Sequence, residues 1–444
     1  MRKRKKPLPV LTETVTIDSL SHEGRGIAHI NGKTTFIHNA LPGENVYIEY
    51  RYCSRSYDEG VASDIPVSST ERVLPKCAHY HVCGGCQLQH MTMDLQLEYK
   101  QKVLLEQLQH FGQVQPKQIL PPLSGESYGY RRKARLGVRY VEKKSHRVLV
   151  GFRERNGRFL ADMQACEVLH PMIGKKIIEL SELVASMSLY EHIPQIEIAI
   201  GDDKAAILLR HMRPLTTKDL DILNNFYQKH HVEIYSHPNS PESIKKLFPK
   251  DGRERLSYCL PTYHLEFLFH PTDFTQINHE MNQQMIQRTL QLLELQADET
   301  VLDLFCGIGN FTLPIARQVK KVAGIEGVKT AVDRAHENAR HNHLDNVEFF
   351  VADLSQDCSN MSWAQQYYDK ILLDPSRAGA DQVMPLIANM QAKRIVYVSC
   401  NPSTLSRDAG ILVNQYGYTL ESAGLINMFP QTSHMESIAL FTKV

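Results

Sequence analysis

The 444-residue chain lacks features that would assign it to a broad class at once. It has no uninterrupted run of about 18 apolar residues, the length a membrane-spanning helix needs, since even VLDLFCGIGNFTLPIA contains an Asp and an Asn. Neither sign of charge is in excess, because 50 Lys and Arg residues nearly balance 49 Asp and Glu residues. The formal net charge of +1 excludes a protein that binds nucleic acid through overall charge alone, so any polyanion site must be local.

Export signals and internal repeats are also missing, and the only low-complexity tract is the basic N-terminus. The start MRKRKK is followed by PLPV, which is too short for the apolar region of a signal peptide, so secretion is not expected. Nine cysteines, an odd number, favour reduced thiols with metal or catalytic roles over a disulfide framework. We therefore expect a cytoplasmic protein, and the length predicts two or three domains.

Residues 12 to 67 have the pattern of a small β-barrel. Short alternating segments such as TVTIDSL, GIAHING and TTFIHNA are separated by turns rich in Gly and Pro, which is typical of a closed barrel. Small barrels of the oligonucleotide-binding kind bind RNA, yet the same pattern occurs in β modules without a ligand. The residues alone leave both interpretations open.

The next two regions differ in composition. Three cysteines crowd into a loop within residues 71 to 91, and TMDLQLEYKQKVLLEQLQHFG then repeats apolar residues at helical spacing. From about 125 to 271, strand-like segments such as QIEIAIGD and AAILLRH accompany one clear helical segment, MIGKKIIELSELVASM. We therefore expect an α+β region in the middle of the chain.

The last part of the chain, roughly 170 residues, predicts a doubly wound, mostly parallel sheet, because buried-strand segments alternate there with helical ones. The strand segments are VLDLF, KVAGIEG, VEFFVADL, KILLDP, RIVYVSC, YTLESAGL and ESIALFTKV. In such sheets ligands bind at the carboxyl ends of the strands. Side chains that follow these strands are therefore the candidates for a site.

A nucleotide-cofactor site is predicted where the first of these strands gives way to a helix. Gly307 and Gly309 in DLFCGIGN allow the backbone to turn tightly beside a ligand, although Thr312 breaks the G-x-G-x-x-G dinucleotide motif. Glu326 ends the next strand, 21 residues beyond Phe305, as expected of an acid that binds ribose hydroxyls. The alternative is that Glu326 is an ordinary solvated residue at the end of its strand. The two features together resemble the S-adenosylmethionine (SAM) pocket of class I methyltransferases more than a dehydrogenase.

Cys400 follows a buried strand at the sheet edge expected to hold the cofactor loop. A buried Cys is usually inert, and Cys306 and Cys358 fit that interpretation. Cys400 differs because it begins a Pro-containing loop, and the previous strand ends in another polar loop, DPSRAG. Methylation at C5 of a pyrimidine needs a nucleophile, since thiolate addition to C6 creates an enolate whose C5 can attack the SAM methyl group.

The same chemistry needs a base, because methylated C5 still carries a proton that must leave before the thiol is eliminated. Glu436, in FPQTSHMES, precedes the final apolar strand. Taken alone, it is better interpreted as an ordinary surface acid. Its assignment as the base depends on the wider pattern.

Two long motifs resemble those of the RNA uracil-C5 methyltransferases, SAM-dependent enzymes with a tRNA branch and a 23S rRNA branch. DPSRAG, followed after fifteen residues by IVYVSCNPST, is similar to the family's nucleophile motif, and FPQTSHME is similar to its C-terminal motif. The resemblance implies Cys400 as nucleophile and Glu436 as base. It also implies cofactor contacts from Gln276, Phe305, Asn310, Glu326, Asp353 and Asp374. One departure is Asn427, where the family more often has Asp, which bears on local hydrogen bonding more than on the chemistry.

The resemblance also gives the cysteine loop a role. C-x5-C-x2-C at Cys77, Cys83 and Cys86, with Cys166 as a distant fourth, resembles the iron–sulfur site of the rRNA branch and implies a [4Fe–4S] cluster. Four thiolates would also suit structural zinc, although zinc sites more often pair two C-x2-C motifs and only one is present. The N-terminal barrel resembles the TRAM module, an RNA-binding barrel that the tRNA branch lacks.

Together these resemblances imply a multidomain protein. A TRAM β-barrel would span residues 1–70, an α+β middle domain with the iron–sulfur site 71–92 and 125–271, and a Rossmann-like class I methyltransferase domain 93–124 and 272–444. The implied activity is methylation of C5 of a specific, unstacked or flipped-out uracil in 23S rRNA by a monomeric enzyme without a membrane partner.

Basic and aromatic residues interleave between Tyr128 and Tyr140. Such a stretch can hold phosphates and stack bases, but alternate residues of a strand can equally form a solvated face. Beside a pyrimidine-modifying site it favours RNA, as does the N-terminal RKRKK run. The alternatives are a tRNA uracil methyltransferase, an amino-group methyltransferase, which would leave Cys400 without a role, and a noncatalytic RNA-binding protein that keeps the fold.

Overall fold

The computed structural model describes residues 8, 13–142, 147–155, 157–238 and 243–443. The N-terminal RKRKK run lies outside the described residues. The chain forms two compact units, Met1–Val103 with Gln431–His434 and Leu104–Pro430 with Met435–Val444. The predicted domain boundaries near residues 70, 92, 124 and 271 remain predictions.

The first unit contains six short strands: β1 Val15–Thr16, β2 Ser19–Leu20, β3 Gly26–Ile30, β4 Lys33–His38, β5 Asn45–Cys53 and β6 Tyr57–Val67. Their order in the sheet is β1-β5-β6-β4-β3-β2. Since β1 and β2 belong to one continuous segment, their pairing with β5 on one side and β3 on the other closes the sheet. The alternating apolar side chains fill its interior: Ile17, Ala28, Ile37, Ala40, Val46, Ile48 and Ala62. The predicted closed barrel is confirmed.

A buried carboxylate fixes the segment that leaves the barrel. Glu44 is completely buried, and its side chain accepts hydrogen bonds from Arg72 Nε at 2.6 Å and Arg72 Nη2 at 2.8 Å. It also accepts from the Leu41 and Ser69 N–H groups at 2.8 and 3.1 Å, so the buried charge is fully paired. The helix α1, Met93–His110, follows.

The second unit contains two large sheets and a hairpin. Its strands are β7 Gln118–Ile119, β8 Lys133–Val141, β9 Arg147–Gly151, β10 Gln195–Ile200, β11 Ala205–Arg210, β12 Val232–His237, β13 Lys245–Phe248, β14 Leu256–Leu260, β15 Leu265–Phe269, β16 Thr300–Leu304, β17 Lys321–Glu326, β18 Val347–Val351, β19 Lys370–Leu373, β20 Arg394–Ser399, β21 Thr419–Ile426 and β22 Glu436–Thr442. Its helices are α2 Pro171–Gly174, α3 Ile177–Ser186, α4 Thr217–His230, α5 His279–Leu293, α6 Thr312–Ala316, α7 Lys329–His341, α8 Met384–Met390 and α9 Pro402–Asn414.

The smaller of these sheets has the order β13-β12-β11-β10-β8-β9, and its helices confirm an α+β region. The segment predicted as one helix, MIGKKIIELSELVASM, forms two, α2 and α3. Gly174, at the end of α2, packs so closely that an added Cβ would lie 2.5 Å from the Cys166 carbonyl oxygen. This close approach accompanies the break between the two helices.

The larger sheet has the order β18-β17-β16-β19-β20-β22-β21-β7. The first five strands in this order are parallel, and β22 runs antiparallel between β20 and β21. The predicted doubly wound sheet is confirmed. Strand order reverses direction around β16, so the carboxyl ends of β16 and β19 border the crevice where such sheets bind ligands.

Candidate active site

The loop after β16 turns at residues with left-handed backbone, Phe305 (φ 67°), Gly307 (φ 55°) and Gly309 (φ 91°). A Cβ added at Gly307 would meet no atom within 4 Å, so the backbone there faces open space. The Phe305 N–H donates to the Ile325 carbonyl oxygen at 2.8 Å, which holds this non-glycine residue in an uncommon conformation. The loop therefore offers exposed backbone at the sheet edge, where the sequence predicts a cofactor.

Glu326, at the end of β17, reaches the same loop. Its Oε2 accepts from the Gly307 N–H at 3.1 Å, and its Oε1 accepts from the Val328 N–H at 2.9 Å. The side chain is partly exposed, so each oxygen retains a lone pair for a ligand hydroxyl. This geometry suits the predicted ribose-binding acid.

Asp303 is a site residue that the sequence reasoning missed. It is completely buried in β16, and its Oδ2 accepts from the Thr312 hydroxyl at 2.5 Å. Its Oδ1 has no hydrogen-bond partner among the described residues. Burial, with the charges of Asp374 and Glu326 adding to it, raises the pKa of Asp303 to about 8. Asp303 therefore has a buried acceptor that no described residue satisfies, and its carboxyl lies close enough to Asp374 and Glu326 for their charges to act on it.

Asn310 is already engaged by other side chains. Its Oδ1 accepts from the Tyr258 hydroxyl at 2.9 Å and from Asn282 Nδ2 at 3.0 Å, while its own Nδ2 donates to Asn282 Oδ1 at 2.9 Å. Tyr258 and Asn282 also line a small cavity with Gln276. The structure thus brings Gln276 and Asn310 to one side of the site, with Tyr258 and Asn282 as neighbours that the sequence did not indicate.

Asp353 follows β18, further along the same sheet edge. Its side chain is exposed, and its Oδ1 accepts from the N–H and the hydroxyl of Ser355 at 3.0 and 2.7 Å. These hydrogen bonds from Ser355 lower the pKa of Asp353, which therefore stays ionised. The Ala352 N–H, next to Asp353, donates to the Glu326 carbonyl oxygen at 3.0 Å.

Cys400 and Glu436 are brought together by the pairing of β20 with β22. Ser399 lies opposite Ser437 in this antiparallel pair, and the Ser437 hydroxyl donates to the Ser399 carbonyl oxygen at 3.1 Å. Cys400 therefore leaves its strand where Glu436 enters the neighbouring one. The two residues are 36 positions apart in sequence but share one end of the strand pair.

The thiol and two carboxyls interact with one another, with Glu436 buried and Cys400 and Asp374 partly buried. Burial, followed by the charges of Glu436 and Asp374, raises the pKa of Cys400 to about 11. Burial raises the pKa of Asp374 to about 7. Burial and the Asp374 charge raise the pKa of Glu436 well above its usual value. The opposing influence is Arg377, whose cation lowers the pKa of both Cys400 and Glu436.

Arg377 and Asn401 are further site residues that the sequence reasoning did not single out. The Asn401 side chain caps α9 by accepting from the Ser403 N–H at 3.2 Å, and its Nδ2 donates to the Arg377 carbonyl oxygen at 2.9 Å. This bond joins the loop after β19 to the loop that holds Cys400. A cation in the polar loop DPSRAG, which follows the strand next to that of the predicted nucleophile, is the signal that could have identified Arg377.

The predicted metal ligands do not form a metal site in this structure. Cys77, Cys83 and Cys86 lie in one loop of the first unit, whereas Cys166 belongs to the second unit. Within the described ranges, no group of three or more Cys, His, Asp or Glu residues is arranged to hold a metal ion. In the same part of the chain, every helix is too short or too polar to cross a membrane.

The basic segment between Tyr128 and Tyr140 contains partly buried and exposed cations. Arg132 pairs with Asp202 at 2.5 Å, and Lys133 donates to the Asp273 carbonyl oxygen. Arg135 and Arg139 are exposed on β8. Arg131 Nε also donates to the Lys133 carbonyl oxygen at 2.9 Å, so three of the five cations of this segment bond within the protein.

Comparison with known proteins agrees with this geometry. The model of the tRNA (Uracil-5-)-methyltransferase family matches residues 92–444, and the TRAM domain model matches residues 10–57. The chain belongs to the tRNA (uracil-5-)-methyltransferase family. The family match includes every proposed catalytic and SAM-binding residue, and the TRAM match falls on the barrel.

Curated relatives extend the likeness over the full chain. The 23S rRNA (uracil(1939)-C(5))-methyltransferase RlmD of Alcanivorax borkumensis is 49% identical over 444 residues, covering 100% of this chain and 99% of the relative. The protein of the same name from Hahella chejuensis is 49% identical over 447 residues, covering 100% of both. The Pyrococcus abyssi tRNA (uracil-54, C5)-methyltransferase, solved with S-adenosyl-L-homocysteine, has a TM-score of 0.74 at 23% identity, covering 97% of this chain and 100% of that one. This last likeness shows a shared fold.

Proposed function

We propose that this chain transfers a methyl group from SAM to C5 of a specific uracil in 23S rRNA. The observation that carries the proposal is the placement of Cys400 and Glu436 at one end of a strand pair, on the sheet edge that also holds the Gly307 loop and Glu326. Full-length similarity at 49% identity to proteins named for this reaction supports the RNA class.

The residues present fit SAM. Glu326 is placed to accept from ribose hydroxyls, and the exposed backbone at Gly307 leaves room for the ligand. The unpartnered Oδ1 of Asp303 suits the ammonium of the methionine part. Gln276, Phe305, Asn310, Asp353 and Asp374 are proposed as further contacts. When bound, SAM supplies an electrophilic methyl group.

The chain's own residues would then carry out addition and elimination. The Cys400 sulfur bonds to C6 of uracil, and the electrons of the C5–C6 double bond move toward the C4 carbonyl to give an enolate. C5 of this enolate would take the methyl group as its bond to the sulfonium sulfur of SAM breaks, and S-adenosyl-L-homocysteine would leave. Glu436 removes the remaining C5 proton, the C5–C6 double bond re-forms, and the C6–sulfur bond breaks to return the thiolate.

Methyl transfer to defined RNAs tests the proposal. Purified protein with methyl-labelled SAM should modify 23S rRNA from a strain that lacks this gene, and mass mapping should find 5-methyluridine at one site. Methyl transfer to tRNA and not to 23S rRNA would show that the substrate is that of the tRNA branch. Failure to bind SAM would favour a noncatalytic RNA-binding protein.

An iron–sulfur cluster is a separate proposal, supported by the resemblance of the cysteine motif to that of the rRNA branch and not by the arrangement of the described side chains. Protein purified without oxygen should contain iron and sulfide and be brown, and Cys83→Ser should abolish both. Stoichiometric zinc without iron would contradict the proposal. We expect a cluster to stabilise folding or RNA binding, because methyl transfer involves no net redox change.

A strip of exposed arginines on the smaller sheet of the second unit is proposed to contact the RNA backbone. Gln195 of β10 lies opposite both Gly137 and Arg210, so Arg210 shares a face with Arg135 and Arg139. All three arginines are exposed, and the acid opposite Arg135 is the largely buried Glu197. The strip therefore presents local positive charge on a chain with a net charge of +1.

Neutralising this strip should weaken RNA binding in a salt-dependent way. Each phosphate contact to single-stranded RNA contributes a slope of about 0.7 in log K against log salt concentration, so Arg210→Gln should flatten the slope by about that amount. Lys117→Gln, an exposed cation paired with Glu421 at 2.9 Å, is the control. Binding assays across salt concentrations should leave the control slope unchanged. An unchanged slope in Arg210→Gln would show that Arg210 does not contact an RNA phosphate.

A further inference from the structure

The loop between β19 and α8 carries both Asp374 and Arg377, and it is held in place from one side. Asp408, on α9, is completely buried, and its Oδ2 accepts from the Ala380 N–H at 2.7 Å and from the Tyr397 hydroxyl at 2.6 Å. Its Oδ1 accepts from Arg407 Nε at 2.8 Å. Both carboxylate oxygens are thus used within the protein, and none of these partners is a proposed substrate contact.

Successive backbone groups of the loop are bound by this network and by Asn401. Arg407 Nη2 donates to the Ala378 carbonyl oxygen at 3.0 Å, next to the Arg377 carbonyl oxygen that Asn401 binds. Between them and Ala380, Gly379 has left-handed backbone (φ 82°). A Cβ added at Gly379 would lie 2.5 Å from Arg407 Nη2 and 2.8 Å from Asp408 Oδ2. The loop can approach the network this closely only because residue 379 is glycine.

We propose that Asp408, acting with Arg407 and Tyr397, is a positioning residue that fixes the loop backbone from Arg377 to Ala380 and so keeps Arg377 beside the loop of Cys400. The proposal rests on the function assigned to Cys400 and Glu436. It gives Asp408, a buried carboxylate outside the reaction centre, a role in the ionisation of the Cys400 nucleophile.

The direction in which the Cys400 pKa moves in Asp408→Asn distinguishes a positioning role from a direct electrostatic effect of the Asp408 charge. The groups that act on the Cys400 thiol are Glu436 and Asp374, which raise its pKa, and Arg377, which lowers it. Removing the Asp408 charge by itself would remove an anion, which can only favour the thiolate. Asp374 stays in place because its N–H donates to the Leu304 carbonyl oxygen at 3.3 Å, at the end of β19. If the loop beyond it loosens and Arg377 moves away, the thiolate is instead disfavoured. The two explanations therefore predict shifts of opposite sign.

The test is the pH dependence of Cys400 alkylation by iodoacetamide in the full-length protein without RNA, followed by mass spectrometry of the Cys400 peptide. In Asp408→Asn the midpoint should move to higher pH by about one unit, the lower end of the effect of an adjacent opposite charge. Tyr397→Phe, which removes one hydrogen bond, should give a smaller shift in the same direction. Asp381→Asn is the matched control, because the partly exposed Asp381 contacts the same Arg407 at 3.2 Å. Its midpoint should not move.

A double variant provides the decisive comparison. In an Arg377→Gln background, Asp408→Asn should cause no further shift to higher pH, because the group it positions is absent. An equal shift of the alkylation midpoint to higher pH in both backgrounds would overturn the proposal. A shift to lower pH, or no shift, when Asp408→Asn is made in the wild-type protein would also overturn it. Since the readout needs neither RNA nor SAM, such an outcome would leave the proposed methyltransferase activity standing. Absence of methylation by the wild-type protein, together with the expected thiol shifts in the variants, would instead count against the proposed activity alone.

Discussion

Cys400→Ala should form no covalent complex with RNA containing 5-fluorouracil at the target position, whereas the wild-type protein should form a stable one with SAM present. Fluorine cannot leave C5 as a proton does, so elimination stops after thiol addition and methylation. Methyl transfer to ordinary RNA should fall by roughly 10⁴-fold or more, the scale seen when a nucleophile is removed. Denaturing gel electrophoresis of the protein–RNA mixture measures the complex.

A matched cysteine variant controls for general effects on folding. Cys358→Ala also removes a thiol. Cys358 is buried, and the hydrogen bond of its sulfur within the described residues goes to the Asp353 carbonyl oxygen. It should still form the complex. A complex that persists in Cys400→Ala would assign the nucleophile to another residue.

Glu436→Gln should methylate C5 and then stall, so that methylated RNA accumulates covalently attached to the protein. The amide keeps the shape of the side chain but cannot accept the C5 proton. Loss of a general base slows a step by about 10²- to 10⁴-fold, so release of product should be slower by that factor. Mass analysis of the trapped RNA should find the added methyl group together with the Cys400 peptide.

The pH dependence of proton removal from C5 follows from the surroundings of the Glu436 carboxyl. Burial and the Asp374 charge raise the pKa of Glu436, and only its ionised form can accept a proton. Product release in the wild-type protein should therefore increase as pH rises through that pKa, and Glu436→Gln should lose this dependence. Glu421→Gln, which alters a carboxylate bonded to Lys117 and Thr442, is the control. Normal release by Glu436→Gln would assign the proton transfer to another group.

The sequence predicted the parts of the site that depend on short segments. The strands before Glu326 and Cys400 are continuous apolar runs, and a polar residue at the end of such a run must lie at the sheet edge in a parallel sheet. Closure of the barrel was likewise predicted from alternation and turns. The meeting of Cys400 with Glu436 needed the family motifs, because antiparallel insertion of β22 beside β20 is a long-range pairing with no local pattern.

Other features could not be derived from local patterns. Asp303 lies inside an apolar run, and only the neighbouring strands show that it lies near Asp374 and Glu326. Asp408 has the sequence context of an exposed helix residue, and it is buried because α9 packs on β20. The hairpin β14–β15 was missed as well, although it supplies Tyr258 to the Asn310 contact. In each case burial arises from residues that are distant in sequence.

The most direct test of the central claim is release of the C5 hydrogen during methylation. Purified protein would be given 23S rRNA carrying tritium at C5 of uracil together with SAM labelled in the methyl group. Attack by C5 followed by removal of its proton predicts one tritium released into water for each methyl group incorporated. Methyl incorporation without release of tritium would place the methyl group elsewhere on the RNA and contradict the account.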